Sequence, residues 1–278
     1  MLKPKPVETR EEADVAVLRE GASELALDHP LDFFYLAAPQ PCPYLPNRTE
    51  RKIVARLGGK DVEARHERLT RAGFRRTRDF VYRPACPGCN ACVPVRVLAK
   101  EFRPSRSLRR IERANRDLSW NELPPVARYE HYSLFTRYLE ARHKGGEMTG
   151  MDFADYGSMI EETPIETRVV EFRDPEARLL AVCLTDFLSD GLSGIYKFFE
   201  PSEAKRSLGT FIILWHIQRA RALGLAYVYL GYWIADCRKM AYKDRFRPFE
   251  TFGPEGWRRR DVTRRQVRAA EPEGAFPA

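Results

Sequence analysis

Three apolar runs in the second half of the chain set its pattern. Residues 167–173, 177–188 and 191–200 are dense in aliphatic and aromatic side chains, and turn formers separate them: Asp174, Pro175 and Glu176, then Ser189, Asp190 and Gly191. Short apolar runs bounded in this way predict strands, and connections this short predict an antiparallel meander. A helix over about 210–222 follows, then a strand over 226–231. Upstream, residues 61–72 predict a helix that Gly73 ends, and residues 74–84 and 92–99 predict strands. Residues 102–117 predict a second helix, capped by Ser105 or Ser107. Tyr132, Phe135, Tyr138 and Leu139 recur at helical spacing and give a helix over 126–144 its core face. Prolines between 30 and 52 interrupt regular structure around buried rings. Residues 1–30 predict a loose, charged arm with a short helix.

Composition changes the picture in two ways. At 278 residues and 44% hydrophobic content, the chain has ample material for a core. Its longest apolar runs, Leu179–Leu184 and Phe211–Trp215, fall far short of the roughly 20 residues that span a bilayer. The N-terminus lacks the apolar stretch of a signal peptide, so the expected address is the cytoplasm, with no membrane partner. Net charge is +8, and all of the positive excess is local: Arg48 to Arg116 carries 20 Lys and Arg against 7 Asp and Glu, the remainder 27 against 32. Such concentration is the footprint of a polyanionic partner. Within it, Arg106, Arg109, Arg110 and Arg113 share one helical face. Guanidinium groups on adjacent turns repel one another unless an anion sits among them, which makes this face a candidate for phosphate contacts.

Six cysteines, three of them crowded together, suit a reducing compartment. Cys86, Cys89 and Cys92 are spaced C-x2-C-x2-C, close enough for thiolates to converge on zinc or an iron–sulfur cluster, with Cys42 the natural fourth ligand. Free thiols in a Pro/Gly turn fit the same spacing, and both readings stay open. Cys183 and Cys237 read as buried thiols. The five histidines are dispersed, with no metalloprotease-type spacing.

The predicted class is α+β. Antiparallel strands, a helix and a further strand resemble the core of the GCN5-related acetyltransferase fold, here over 121–256, preceded by a basic, cysteine-containing α+β region over 1–120 and followed by a mobile basic tail over 257–278. In that family an Arg-x-x-Gly-x-Gly/Ala loop cradles the pyrophosphate of coenzyme A at a helix start. Arg206 and Gly209 match it, but Phe211 replaces the last small residue, and its ring is expected to crowd a diphosphate. Residues 194–201, Arg206–Gly209 and 230–248, with Cys42-Pro43-Tyr44 and the cysteine cluster running into 93–97, resemble the aminoacyl-tRNA protein transferases of the N-degron pathway over most of 31–252. The eukaryotic arginyltransferases are much longer and carry a cysteine where Leu45 stands. The short chain is similar instead to the bacterial form, which implies transfer of leucine from leucyl-tRNA to proteins beginning with Asp or Glu. Arginyl transfer, coenzyme A dependent acetylation and non-enzymatic RNA binding are the alternatives.

Such a transfer needs no cofactor. The aminoacyl ester is already activated, and the attacking α-amine has a pKa of about 7.7–8.0, so direct aminolysis asks for positioning, a proton route and oxyanion donors. Backbone amides around Lys197–Phe199 are candidate donors if that strand splays from 226–231. Tyr196 or Glu200 are candidates for the proton, against a packed ring and a turn cap as the plainer roles. Positive charge for the acidic N-terminus is expected from Arg48, Lys205, Arg206, Lys239, Lys243, Arg245 and Arg247. Ser207 and Gly209, at a helix start, are expected on the terminal phosphate of the tRNA.

Overall fold

Val169 and Val170 are neighbours in sequence yet belong to different cores, because successive strand residues face opposite sides of a sheet. The computed structural model describes residues 33–260, and those from Phe34 on belong to one compact unit. Its first half holds β1 (Tyr35–Leu36), β2 (Gln40–Pro41), β3 (Thr49–Glu50), β4 (Lys52–Arg56), α1 (Val62–Arg71), β5 (Arg75–Thr77), β6 (Phe80–Pro84), β7 (Val93–Leu98) and α2 (Arg106–Ala114). The second half holds β8 (Ser119–Leu123), α3 (Tyr129–Arg142), α4 (Phe153–Glu161), β9 (Thr167–Arg173), β10 (Leu179–Phe187), β11 (Gly191–Phe199), α5 (Leu208–Ala222), β12 (Tyr227–Trp233), α6 (Arg238–Ala241), β13 (Phe249–Gly253) and β14 (Gly256–Arg259). The main sheet runs β14-β13-β7-β12-β11-β10-β9-β8, a smaller one runs β1-β4-β6-β5, and β2 pairs with β3. The class is α+β, as expected.

Val169, Val182, Leu184 and Phe198 pack against Leu134, Phe135 and Leu139 of α3 and Tyr156 and Ile160 of α4. On the opposite face Val170, Phe172, Ala181 and Cys183 meet Ile212 and Trp215 of α5. Covered on both sides, these strands have no solvent face to keep polar, which accounts for their near-continuous apolar sequence. α5 also lies on Val95 and Val97 of β7 and Val228 of β12, together with Leu108 of α2.

The expected meander is present, with β9, β10 and β11 antiparallel. Gly73 takes φ +84° after α1, and Ser105 caps α2 by accepting from the Leu108 amide at 3.4 Å. Three expectations change. Residues 74–84 form a hairpin rather than one strand: Arg78 adopts φ +51°, and the Arg76 guanidinium fixes the turn by donating to its carbonyl at 2.7 Å. No division falls near residue 120, because β7 lies inside the main sheet between β12 and β13. The tail expected from residue 257 begins inside β14, where the Trp257 indole donates to the Arg71 carbonyl at 2.7 Å and the Arg96 guanidinium lies 4.4 Å from its ring. Residues 261–278, and the arm expected over 1–30, lie outside the described residues.

A buried ion pair ties the two sheets together. Arg76 of β5 grips Asp186 of β10 through Nε (2.7 Å) and Nη2 (2.6 Å), both side chains are fully buried, and the Thr167 hydroxyl donates to the same carboxylate at 3.0 Å. Removing one member of such a pair strands the other charge. Asp186→Ala is therefore expected to lower unfolding free energy by about 3–5 kcal/mol in urea titration, and the apolar pair Arg76→Met, Asp186→Leu to cost much less.

Candidate active site

β11 and β12 run parallel but pair over only three residues, Gly191, Leu192 and Ser193 opposite Tyr227, Val228 and Tyr229. Beyond that point β11 stays with β10 and β12 stays with β7, so the two strands part. Register shifts at Leu184/Thr185 and at Tyr229/Gly231 fall beside the parting, and bulges of this kind bend and twist a strand. The parting leaves two strand edges that face each other without pairing.

Arg75 of β5 enters this gap. Its Nη2 donates to the carbonyls of Gly194 (3.0 Å) and Ile195 (2.8 Å) on β11. On the β12 side Gly231 makes the room: φ is +67°, and a Cβ there would overlap the Arg75 guanidinium. The next residue, Tyr232, turns its hydroxyl back to the carbonyls of Gly73 (3.1 Å) and Tyr82 (2.9 Å).

Two lysines join Arg75. Lys243 is only 7% exposed and donates to the Tyr232 carbonyl, with the Met240 sulfur 3.6 Å away. Lys197 donates to the Gly209 carbonyl at 2.6 Å. Burial, reinforced by the charges of Arg75 and Lys197, holds Lys243 well below the ordinary lysine range. Among the described residues none of the three cations forms an ion pair with a carboxylate. Unpaired buried positive charge is costly, and an arriving anion would supply what is missing. Tyr44 feels the same Arg75 charge, yet its phenol is pushed up to about 12, by burial first and then by Tyr82.

The four thiols are neighbours. Burial, then Cys42, Cys86 and Cys89 in that order, push the Cys92 thiol up to about 12. The Leu45 amide donates to the Cys42 sulfur and the Arg51 amide to the Cys86 sulfur, each at 3.4 Å. Among the described residues no three His, Cys, Asp or Glu side chains are arranged to hold a metal ion.

Arg106, Arg109, Arg110 and Arg113 stand exposed on α2, their side chains making no hydrogen bond or ion pair among the described residues. Arg245, beyond Lys243, reaches the Ser107 hydroxyl at 3.5 Å, which links this basic face to the lysine-bearing segment.

Two family models match the chain. The N-terminal model of arginine-tRNA-protein transferase covers residues 40–110, and the C-terminal model covers 130–253. A protein of Paramagnetospirillum magneticum named aspartate/glutamate leucyltransferase is 53% identical over 82% of this chain and 93% of its own length. Its namesake in Parvibaculum lavamentivorans is 53% identical over 81% of this chain and 93% of its own. The chain belongs to the arginine-tRNA-protein transferase family. Among solved structures, L-PGS from Bacillus licheniformis aligns over 52% of this chain and 47% of its own at 19% identity, with a TM-score of 0.39, too slight a likeness to carry an argument.

Against this family assignment the expected site residues divide. Lys243 is at the parting of the strands, and Lys239 is exposed beside His143. Arg206 is committed elsewhere: it grips Asp117 with two bonds of 2.9 Å and also meets Glu203 at 3.2 Å. Arg247 donates to the Asp244 carbonyl at 2.8 Å, while Arg48 and Lys205 are exposed. Tyr196 packs its ring against Phe135 and Phe198, and burial raises its phenol. Glu200 accepts from Arg137 and from Ser202, which is the turn-capping role. Ser207 precedes α5 in a left-handed conformation, and Gly209 leaves space for Phe199, whose ring a Cβ would approach to 2.9 Å. The Phe211 ring turns inward against Phe172 at 5.7 Å, so it does not itself crowd the helix start as expected.

Sequence reading missed Arg75 and Lys197. Each is one cation among many, and their partners are 119, 120 and 12 residues away. The signal that could have found Arg75 is Gly231, a glycine inside a strand, which marks a bulge or a close approach. Gly231→Ala is expected to cost about 1–3 kcal/mol by overpacking. In an Arg75→Ala background that overpacking cost should vanish, leaving about 1–2 kcal/mol for a side chain at a left-handed position, and strictly additive costs in urea titration would show that Gly231 does not serve to admit Arg75.

Proposed function

We propose that the chain transfers leucine from leucyl-tRNA to the α-amine of proteins beginning with Asp or Glu, by direct aminolysis on an acetyltransferase-like core, and so creates an N-degron. One observation carries the reading: Arg75, Lys197 and Lys243 gather at the parting of β11 and β12 with no carboxylate partner among the described residues. An acidic first residue brings a carboxylate to that charge while its α-amine lies only a few bonds away. The names of the relatives support leucine as the group transferred and Asp or Glu as the acceptor.

The chemistry is one of placement. The neutral α-amine attacks the ester carbonyl, the carbon–oxygen bond to the tRNA ribose breaks, and the proton lost by the amine ends on the departing ribose oxygen, giving the amide and a free ribose hydroxyl. Holding both ends together supplies most of the advantage, and strand-edge backbone donors at the parting can stabilise the oxyanion. No residue of the chain need become acylated. The reaction requires no cofactor, and no step passes through the four thiols.

The test is a transfer assay with leucyl-tRNA and arginyl-tRNA against peptides beginning with Asp, Glu, Arg or Lys. Leucine is expected on Asp and Glu only; leucine appearing on Arg or Lys peptides alone would sink the reading. Lys243→Met should raise KM for the Asp peptide by about tenfold or more while kcat falls less, the signature of lost binding. On the nucleic-acid side, Arg109→Glu with Arg110→Glu should weaken tRNA binding and reduce the slope of log affinity against log salt by about two, since each lost phosphate contact removes about one.

A further inference from the structure

Next to the three cations lies a second group that the proposed reaction does not yet use. Tyr138 of α3 and Phe199 of β11 hold their rings 4.9 Å apart at 60°, and Tyr242 follows α6 with the Lys197 ammonium 5.8 Å from its ring. All three rings are half-buried rather than covered. Polar groups border them: the Arg142 guanidinium is 5.9 Å from the Phe199 ring, and the His143 imidazole lies within hydrogen-bond reach of the Tyr138 hydroxyl at 3.4 Å. Burial, then Lys239, then Arg142 lower the His143 pKa, so these three groups share one neighbourhood. Neither Arg142 nor Lys239 pairs with a carboxylate among the described residues.

Half-open aromatic rings flanked by unpaired cations are what a single-stranded nucleic-acid end requires: a π-face for the base and positive charge for the backbone. Position matters as much as composition. The transferred ester sits on the ribose of the last nucleotide, so the base of that nucleotide has to rest beside the reacting centre. Tyr242 immediately precedes Lys243, and Lys197 belongs to both groups. Gly209 contributes as well, because its missing side chain lets the Phe199 ring lie over the first turn of α5.

We propose that Tyr138, Phe199 and Tyr242 seat the 3′-terminal adenine of the donor tRNA, with Arg142, His143 and Lys239 taking the phosphates that lead to it. This rests on the aminoacyl-tRNA reading above. It assigns the two basic regions different work: α2 holds the body of the tRNA through charge alone, and the aromatic seat reads whether the end is complete.

The experiment measures equilibrium binding of the full chain, at one fixed salt concentration, to deacylated leucine tRNA and to the same tRNA lacking only its terminal adenosine. The intact tRNA is expected to bind about tenfold more tightly, in line with the loss of one stacked base. Tyr242→Ala should reduce that ratio to near one. Since Tyr242 also touches the core, the exposed pair Arg142→Glu, Lys239→Glu provides a second arm, expected to weaken both tRNAs. Arg109→Glu with Arg110→Glu should weaken both tRNAs equally and leave the ratio unchanged. A wild-type ratio near one, or a full ratio retained in a folded Tyr242→Ala, overturns the seat while leucyl transfer stands. Failure of the wild type to transfer leucine from an aminoacylated tRNA that it binds would instead overturn the functional reading.

Discussion

Parallel pairing between β11 and β12 stops after three residue pairs, and the chain must satisfy the edges that this leaves facing each other. It does so with an arginine from another sheet. Arg75 bonds two consecutive carbonyls of β11, both through Nη2. The carbonyl edge is thereby closed while the strands stay apart. Gly231 follows from the same requirement, since any side chain there would stand where the guanidinium lies. The left-handed conformation of Gly231 and the register shift beside it keep the strands from closing.

The halves of the chain therefore depend on one another. β5 delivers Arg75 to the gap and, one residue later, Arg76 to Asp186, so the two faces of a three-residue strand hold the gap and anchor the sheet. β7 is stitched between β12 and β13, and Tyr232 reaches back to Gly73 and Tyr82. The cluster of Arg75 from one half with Lys197 and Lys243 from the other forms only when both halves are folded together. That is a reason for the family's N-terminal and C-terminal segments to travel in one chain.

How far this was legible in sequence depends on the reach of each interaction. The meander was readable because its turns sit between runs buried on both faces, and the end of α1 because Gly73 must be left-handed. The β13–β14 hairpin was not: its second strand, Gly256–Arg259, is half arginine, and its stability comes from Trp257 meeting Arg71 and Arg96 from far upstream. The site followed the same rule. Lys243 could be named from its motif, whereas Arg206, equally prominent there, is consumed by Asp117, 89 residues before it. Local spacing says which side chains are available, and long-range pairing says which remain free.

The chain carries positive charge of two physical kinds. On α2 the arginines are exposed, and at physiological salt their field decays over about 8 Å, so they attract a polyanion broadly and weakly per contact. At the parting of the strands Lys243 is buried and Arg75 and Lys197 are half-buried, and away from water one charge interacts more strongly with its partner. Burial has already driven Lys243 well down from its usual pKa, which shows the pressure on that ammonium to lose its charge. A carboxylate arriving there relieves that pressure, whereas a cationic first residue would add to it. On the proposed reading, discrimination between acidic and basic N-termini needs no elaborate pocket: it would follow from positive charge left without a carboxylate partner among the described residues.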